Sequence, residues 1–235
     1  MSNSAKLASV QHNDQRSPSL PPTAAMPPAR STIAMLAIDG ALASSMTAPL
    51  DAFRLANALY ARTHPAHLNY VPFELKIVSA DNVSQVRTAG GLTLAGVVPA
   101  QSCAINVLIV PGLEYHTHAS LIASVQRNTS ALNLIRNLHA ENRQIAASCS
   151  GTFLLAASGI LDGLAATTSW WLAASFRNQF PKVKLDPAQL LVDTGSVITA
   201  GAVTAMFSVV LKIIEQRMGP ELAQNTARIL QYIIV

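Results

Sequence analysis

The apolar positions of this chain fall mostly in unbroken runs rather than in strict alternation, and segments with helical spacing separate the runs. Residues 32–38 form the first run and end at Asp39-Gly40, the pattern of a buried strand followed by a turn. Thr47-Ala48-Pro49 then opens a helix, with Thr47 placed to cap it and Pro49 tolerated in its first turn. Leu50, Phe53 and Tyr60 supply part of that helix's buried side. Residues 73–79 predict the next strand, and residues 87–94, interrupted by Gly90-Gly91, predict a small hairpin. Residues 105–110 are a β-branched run that stops at Pro111-Gly112, as a central strand does when it delivers a loop to one edge of a sheet. Leu121, Ile122, Val125, Leu132, Ile135 and Leu138 predict one long or broken helix over residues 119–140. Residues 144–159 read as a short apolar strand, Cys149 at a sharp corner, and a helix. After a turn at Asp162-Gly163 come a short segment at 165–168, a helix through Trp170 and Trp171, and a strand pair at 183–185 and 197–199. Val203, Met206, Phe207, Val210, Leu211 and Ile214 mark a further helix, and a last one begins after Gly219-Pro220 and runs to the end.

Strands that alternate with helices, and that are apolar throughout, predict an α/β fold: a mostly parallel sheet with helices on both faces. Ligands of such sheets bind where the carboxyl ends of the strands emerge, and Pro111-Gly112 and Cys149 both lie at such ends. The length of 235 residues suits one large domain, and a chain that is 50% hydrophobic and 12% charged has an ample core. Residues 1–31 stand apart as a disordered tail, rich in Ser, Pro, Ala, Asn and Gln and without apolar periodicity, which leaves residues 32–235 as the folded domain.

Charge and cysteine usage narrow the function classes. The net charge is +4, and Lys6, Arg16 and Arg30 against Asp14 place +2 of it in the tail, so the folded body has no basic face for nucleic acid. No apolar run reaches the roughly 20 residues of a membrane helix, and no signal peptide opens the chain. Two cysteines, Cys103 and Cys149, without a secretory signal predict free thiols in a reducing, cytoplasmic compartment.

The strand-to-helix corner carries the candidate chemistry. It pushes the Cys149 side chain clear of the sheet, and the free N–H groups of the following helix surround it with positive potential. Cys149 is then either a nucleophile with a lowered pKa or the floor of an anion-tolerant pocket. His116 and His118 lie in the loop after Pro111-Gly112 and read either as surface residues or as partners at the same mouth. Cys103 reads as a small core hydrophobe, and His64 and His67 as loop residues with no special role. No phosphate-binding glycine motif and no metal-ligand cluster appears, so neither a cofactor nor a metal is expected.

Three motifs carry a resemblance to a known family. Thr47-Ala48-Pro49-Leu50-Asp51-Ala52-Phe53 is similar to a Gly-Pro-x-Asp/Glu-x-Phe signature, with Ala48 in place of glycine. Ser148-Cys149-Ser150-Gly151, followed by Leu154-Leu155-Ala156 and Gly159-Ile160-Leu161-Asp162-Gly163, is similar to a nucleophile elbow and its helix. Ala166-Thr167-Thr168-Ser169-Trp170 is similar to Ala-Thr-Thr-His-Trp, and Thr199-Ala200-Gly201 completes the pattern. Together they resemble the ThiJ/PfpI group of the class I glutamine amidotransferase-like superfamily, within it most of all the amino-terminal domain of AraC-type transcription regulators.

The resemblance implies a flavodoxin-like single domain, a homodimer, and a pocket formed by Ser45, Gly112, Leu113, Ser150, Gly151 and Ser169 around Cys149. It also implies oxyanion donors at the Ser150 amide and in the Gly112-Leu113 turn. The acid of the family's enzymes falls on Ser45 and their histidine on Ser169, and a serine cannot take a thiol's proton near neutral pH. Asp51 holds the family's acidic position in that helix, read as support for its first turn. Of Trp170 and Trp171, one is expected in the core and the other against a ligand or subunit. The expected function is a non-catalytic domain that senses a small molecule. Regulators of this kind continue for about another hundred residues, so the DNA-binding module is expected to be absent and the chain alone not to bind nucleic acid. The alternative is a stand-alone cysteine-dependent enzyme similar to an isonitrile hydratase, with a redox protein as a third reading.

Overall fold

The computed structural model describes residues 27–231 apart from residue 68. Most of the expected tail and the last four residues therefore lie outside the described part. Strand β1 (Ser31–Leu36) begins one residue inside the expected tail and runs parallel to β2 (Phe73–Ser79) on one side and β6 (Val107–Val110) on the other. Beyond β6 lie β7 (Gln144–Ser148) and β11 (Val197–Ala200), both parallel, and beyond β2 lies β5 (Val98–Pro99), also parallel. The sheet order is β10-β11-β7-β6-β1-β2-β5, and β10 (Leu191–Asp193) is antiparallel to β11. Every residue of β6, β7 and β11 is buried, as expected of strands covered on both faces.

Helix α1 (Ala43–Thr63) packs with α6 (Met206–Met218) and α7 (Pro220–Ile229). The other group is α2 (His118–Arg127), α3 (Thr129–Ala140) and the short α4 (Thr152–Ala157). The long helix expected over residues 119–140 is broken at Asn128, which ends α2 and precedes α3. A hairpin of β3 (Gln85–Arg87) and β4 (Thr93–Ala95) stands apart from the main sheet, as the Gly90-Gly91 break predicts. The expected pairing of 183–185 with 197–199 does not form. Instead β8 (Ala165–Ala166) pairs with β9 (Lys184–Leu185), and β11 joins the central sheet beside β7, where its four apolar-walled positions are buried.

Three local corrections concern the site. Helix α1 starts at Ala43, four residues before Thr47, because Leu42 is anchored: its N–H donates to Gly112 O, and its own carbonyl accepts from the Ser45 N–H and hydroxyl. Thr47 is thus no cap but a second-turn residue donating to Ala43 O, Pro49 lies inside the helix, and Asp51 sits beyond the first turn, exposed and paired with Arg54. Neither tryptophan enters the core. Trp170 is 75% and Trp171 44% exposed, because they form a 3-10 turn before α5 (Ala173–Gln179) and leave Leu172 to point inward.

Candidate functional site

Strands β1, β6 and β7 are neighbours and parallel, so their carboxyl ends open on one edge. The chain order reverses between β1 and β6, which is the switch point where open α/β sheets bind ligands. Three segments meet there: the start of α1 with Ser45, the turn after β6 with Gly112 and Leu113, and the corner after β7 with Cys149 to Gly151.

Cys149 has φ +54°, in the left-handed region that costs a residue with a Cβ about 1–2 kcal/mol. Its surroundings hold it in that state. Thr168 donates its hydroxyl to Cys149 O at 2.8 Å, and two residues on Gly151 packs against the β6 turn so closely that a Cβ would lie 2.6 Å from Pro111 O. Glycine at this position is therefore a packing requirement, and the close approach binds the corner to the neighbouring strand.

Among the described residues the thiol has one side-chain hydrogen-bond partner. Ser169 donates its hydroxyl to Cys149 Sγ at 3.0 Å, with Ser169 fully buried and Cys149 4% exposed. Ser45, also buried, does not reach the sulfur through any hydrogen bond; its Oγ accepts from the Gly112 N–H at 3.2 Å. Ser150 binds the same turn twice, accepting from Leu113 N–H at 2.8 Å and donating to Leu113 O at 2.9 Å. Both turn amides are thus already engaged by hydroxyls. The Ser150 amide lies in the first helical turn after the corner, where N–H groups lack intrahelical acceptors.

All seven site residues expected from the sequence come together at this edge. Thr168 was missed, although Thr167-Thr168-Ser169 signals its role: three polar residues in a row are fully buried, and such residues must hydrogen-bond. Thr167 accordingly takes Thr199 Oγ1 and Gln189 O as partners. A second missed feature spans the outside of the site. Trp171 Nε1 donates to Tyr115 OH at 2.6 Å and so links the 3-10 turn after Ser169 to the loop after Leu113. His116 is exposed on that loop and His118, expected there too, is exposed at the first position of α2; neither hydrogen-bonds Cys149. Cys103 is half-buried rather than fully in the core, and both cysteines are free. Among the described residues no group of three His, Cys, Asp or Glu side chains gathers to hold a metal ion, and no helix is long and apolar enough to cross a membrane.

The sequence profile of the DJ-1/PfpI family matches residues 31–216, a span that holds the elbow and every residue of the site. The chain belongs to the DJ-1/PfpI family. Within curated proteins, this family member is 26% identical over 149 residues to an isonitrile hydratase of Pseudomonas putida, covering 63% of this chain and 61% of that protein. It is 23% identical over 217 residues to the HTH-type transcriptional regulator GbdR of Pseudomonas aeruginosa, covering 92% of this chain and 53% of GbdR. The chain thus spans between half and two thirds of the length of these relatives. Among solved structures, an AraC family transcriptional regulator from Pseudomonas putida superimposes with a TM-score of 0.69 at 18% identity, covering 85% of this chain and 99% of that one. Drosophila melanogaster DJ-1beta gives a TM-score of 0.69 at 19% identity, covering 87% of this chain and 100% of its own. These superpositions establish the DJ-1/PfpI-type fold, a mostly parallel sheet with helices in a single domain.

Proposed function

We propose that this DJ-1/PfpI domain senses a small molecule without transforming it, in the manner of a ligand-binding domain of an AraC-type transcription regulator. The observation that carries this reading is the company of the thiol. Its hydrogen-bond partner is a hydroxyl, Ser169, and the hydroxyls of Ser45 and Ser150 occupy the two turn amides that an oxyanion would need. A hydroxyl can stabilise a thiolate but cannot receive its proton near neutral pH. The kinship to GbdR over 92% of the chain supports the same reading.

The test is the pH dependence of Cys149 alkylation, followed in a Cys103→Ser background with Cys149→Ser as the blank. Titration near the free-thiol value of about 8.5 supports a sensing domain, whereas titration below about 6 overturns it. The strained Cys149 backbone and the kinship to an isonitrile hydratase favour a second reading, a cysteine-dependent hydratase that uses the Ser150 amide. Disappearance of an alkyl isonitrile in the presence of the protein, abolished by Cys149→Ser, would select it.

A further inference from the structure

Rings that the elbow does not use gather where α1 ends. Tyr60 and His64 stack with centroids 4.1 Å apart and planes 10° apart, and His67 lies parallel to His64, with 6.0 Å between centroids and 8° between planes. The Tyr60 hydroxyl and His67 Nδ1 are 3.0 Å apart, which holds these two rings to each other. Tyr60 is buried while His64 is exposed, so the stack has an anchored side and an open one.

The stack borders a cavity of about 760 Å³ between the end of α1 and α7, a size within the range of small-molecule sites. Met218, Leu222 and Ile229 add apolar lining. Arg62 and Arg228 line the same cavity, and neither is in an ion pair among the described residues. Glu221, also in the lining and likewise in no ion pair among the described residues, stands seven residues before Arg228, about 10 Å along the helix at 1.5 Å per residue. Cationic groups therefore outnumber anionic ones. The carbonyls at the end of α1, which would repel an anion, are partly covered: Tyr60 O accepts from the His64 N–H at 2.9 Å and from Thr63 Oγ1 at 3.2 Å, and Leu59 O accepts from Thr63 Oγ1 at 3.1 Å.

Stacked rings offer a face to a flat π-system, and a guanidinium offers a planar fork to a carboxylate. We propose that this cavity binds a planar aromatic carboxylate, which stacks on the exposed His64 ring, backed by Tyr60, and places its carboxylate on Arg62 and Arg228. The site shares no residue with the elbow and holds whether or not Cys149 is reactive, so its failure would leave the reading of the elbow untouched.

The experiment is an NMR titration of the isotopically labelled full chain with three probes of one shape: benzoate, cyclohexanecarboxylate and benzamide. Benzoate should shift the amides of Tyr60, Thr63 and Glu221, and should bind about threefold or more tighter than the saturated acid, the margin of one ring contact. Benzamide should bind more weakly still. Arg62→Gln and Arg228→Gln should each weaken benzoate about fivefold, the upper end for an exposed charge contact. His64→Ala should weaken it and His64→Phe restore it, which separates the ring from the imidazole's role at the helix end. Shifts confined to the Cys149 corner, equal binding of benzoate and cyclohexanecarboxylate, no binding at all, or affinity unchanged in both arginine variants would each overturn the proposal. Circular dichroism melts of the variants confirm that weakened binding is not unfolding.

Discussion

Replacing Gly151 with alanine probes the joint that makes the elbow rigid. Its backbone, at φ −60° and ψ −27°, is helical, so on conformational grounds alone alanine should gain about 0.5–1 kcal/mol. Packing argues the other way. The new Cβ would sit 2.6 Å from Pro111 O and 3.0 Å from Val110 O, against an ordinary carbon-to-oxygen separation of about 3.3 Å. The β6 turn would have to retreat by about 0.7 Å, the difference between the ordinary contact and the first of these distances. That turn is not free to move: Gly112 and Leu113 donate to Ser45 and Ser150, and Gly112 O accepts from Leu42. Overpacking of this kind costs about 1–3 kcal/mol, and a buried hydrogen bond lost in the process adds about 1 kcal/mol. After the conformational gain, Gly151→Ala should destabilise the domain by about 2 kcal/mol. With a urea slope of about 2 kcal/mol/M, the midpoint should fall by about 1 M. An unchanged or higher midpoint would refute the reasoning, since only the conformational term would then have acted.

Further outcomes follow from single contacts at the site and the sheet. Ser169→Ala removes the side-chain donor to the sulfur, so the pH profile of Cys149 alkylation should move to higher pH, and an unmoved profile would show that the hydroxyl does not act on the thiolate. Thr168→Val leaves Cys149 O without its side-chain donor and should cost about 1–3 kcal/mol in urea unfolding; a loss below that range would mean that the strained corner is held by packing alone. Trp171→Phe cuts the bridge to Tyr115, and iodoacetamide should then reach Cys149 about fivefold faster, as one hydrogen bond of about 1 kcal/mol allows; equal rates would mean that the bridge does not control access. Glu74 is held below the usual carboxylate range by its hydrogen bond to Lys76 and then by that charge. Its folded pKa is thus below the unfolded value of about 4.3, so the pair adds stability above that pH and loses it as pH falls through the folded value. Because both side chains are about 40% exposed the effect is slight, and Glu74→Gln should flatten the urea midpoint a little between about pH 3 and 5 and nowhere above.

Much of the fold is legible in the chain because burial on both faces leaves a simple signature. The runs at 32–38, 73–79 and 105–110 and the run before Cys149 all became parallel strands of one sheet. The two-residue strands β5, β8 and β9 were harder, because so short an element has no period to read, and its pairing is set by what lies beside it. The start of α1 was misplaced for a related reason. Thr47 and Pro49 look like a helix opening, but the anchor that starts α1 is Leu42 bonded to Gly112, seventy residues away in the chain.

The site divides along the same line. The sequence offered Cys149 on a strand-to-helix corner, the family resemblance set Ser45 and Ser169 at its partner positions, and residue identity states what each of these groups can donate or accept. Tertiary structure alone decided how those groups are used: Ser169 reaches the sulfur, whereas Ser45 and Ser150 turn to the Gly112 and Leu113 amides. It also brought Tyr115 under Trp171 and set the rings of Tyr60, His64 and His67 beside α7. The physical reason is that hydrogen bonds and stacking depend on distances of a few ångströms between segments far apart in the chain, and only the packed sheet and its helices set those distances.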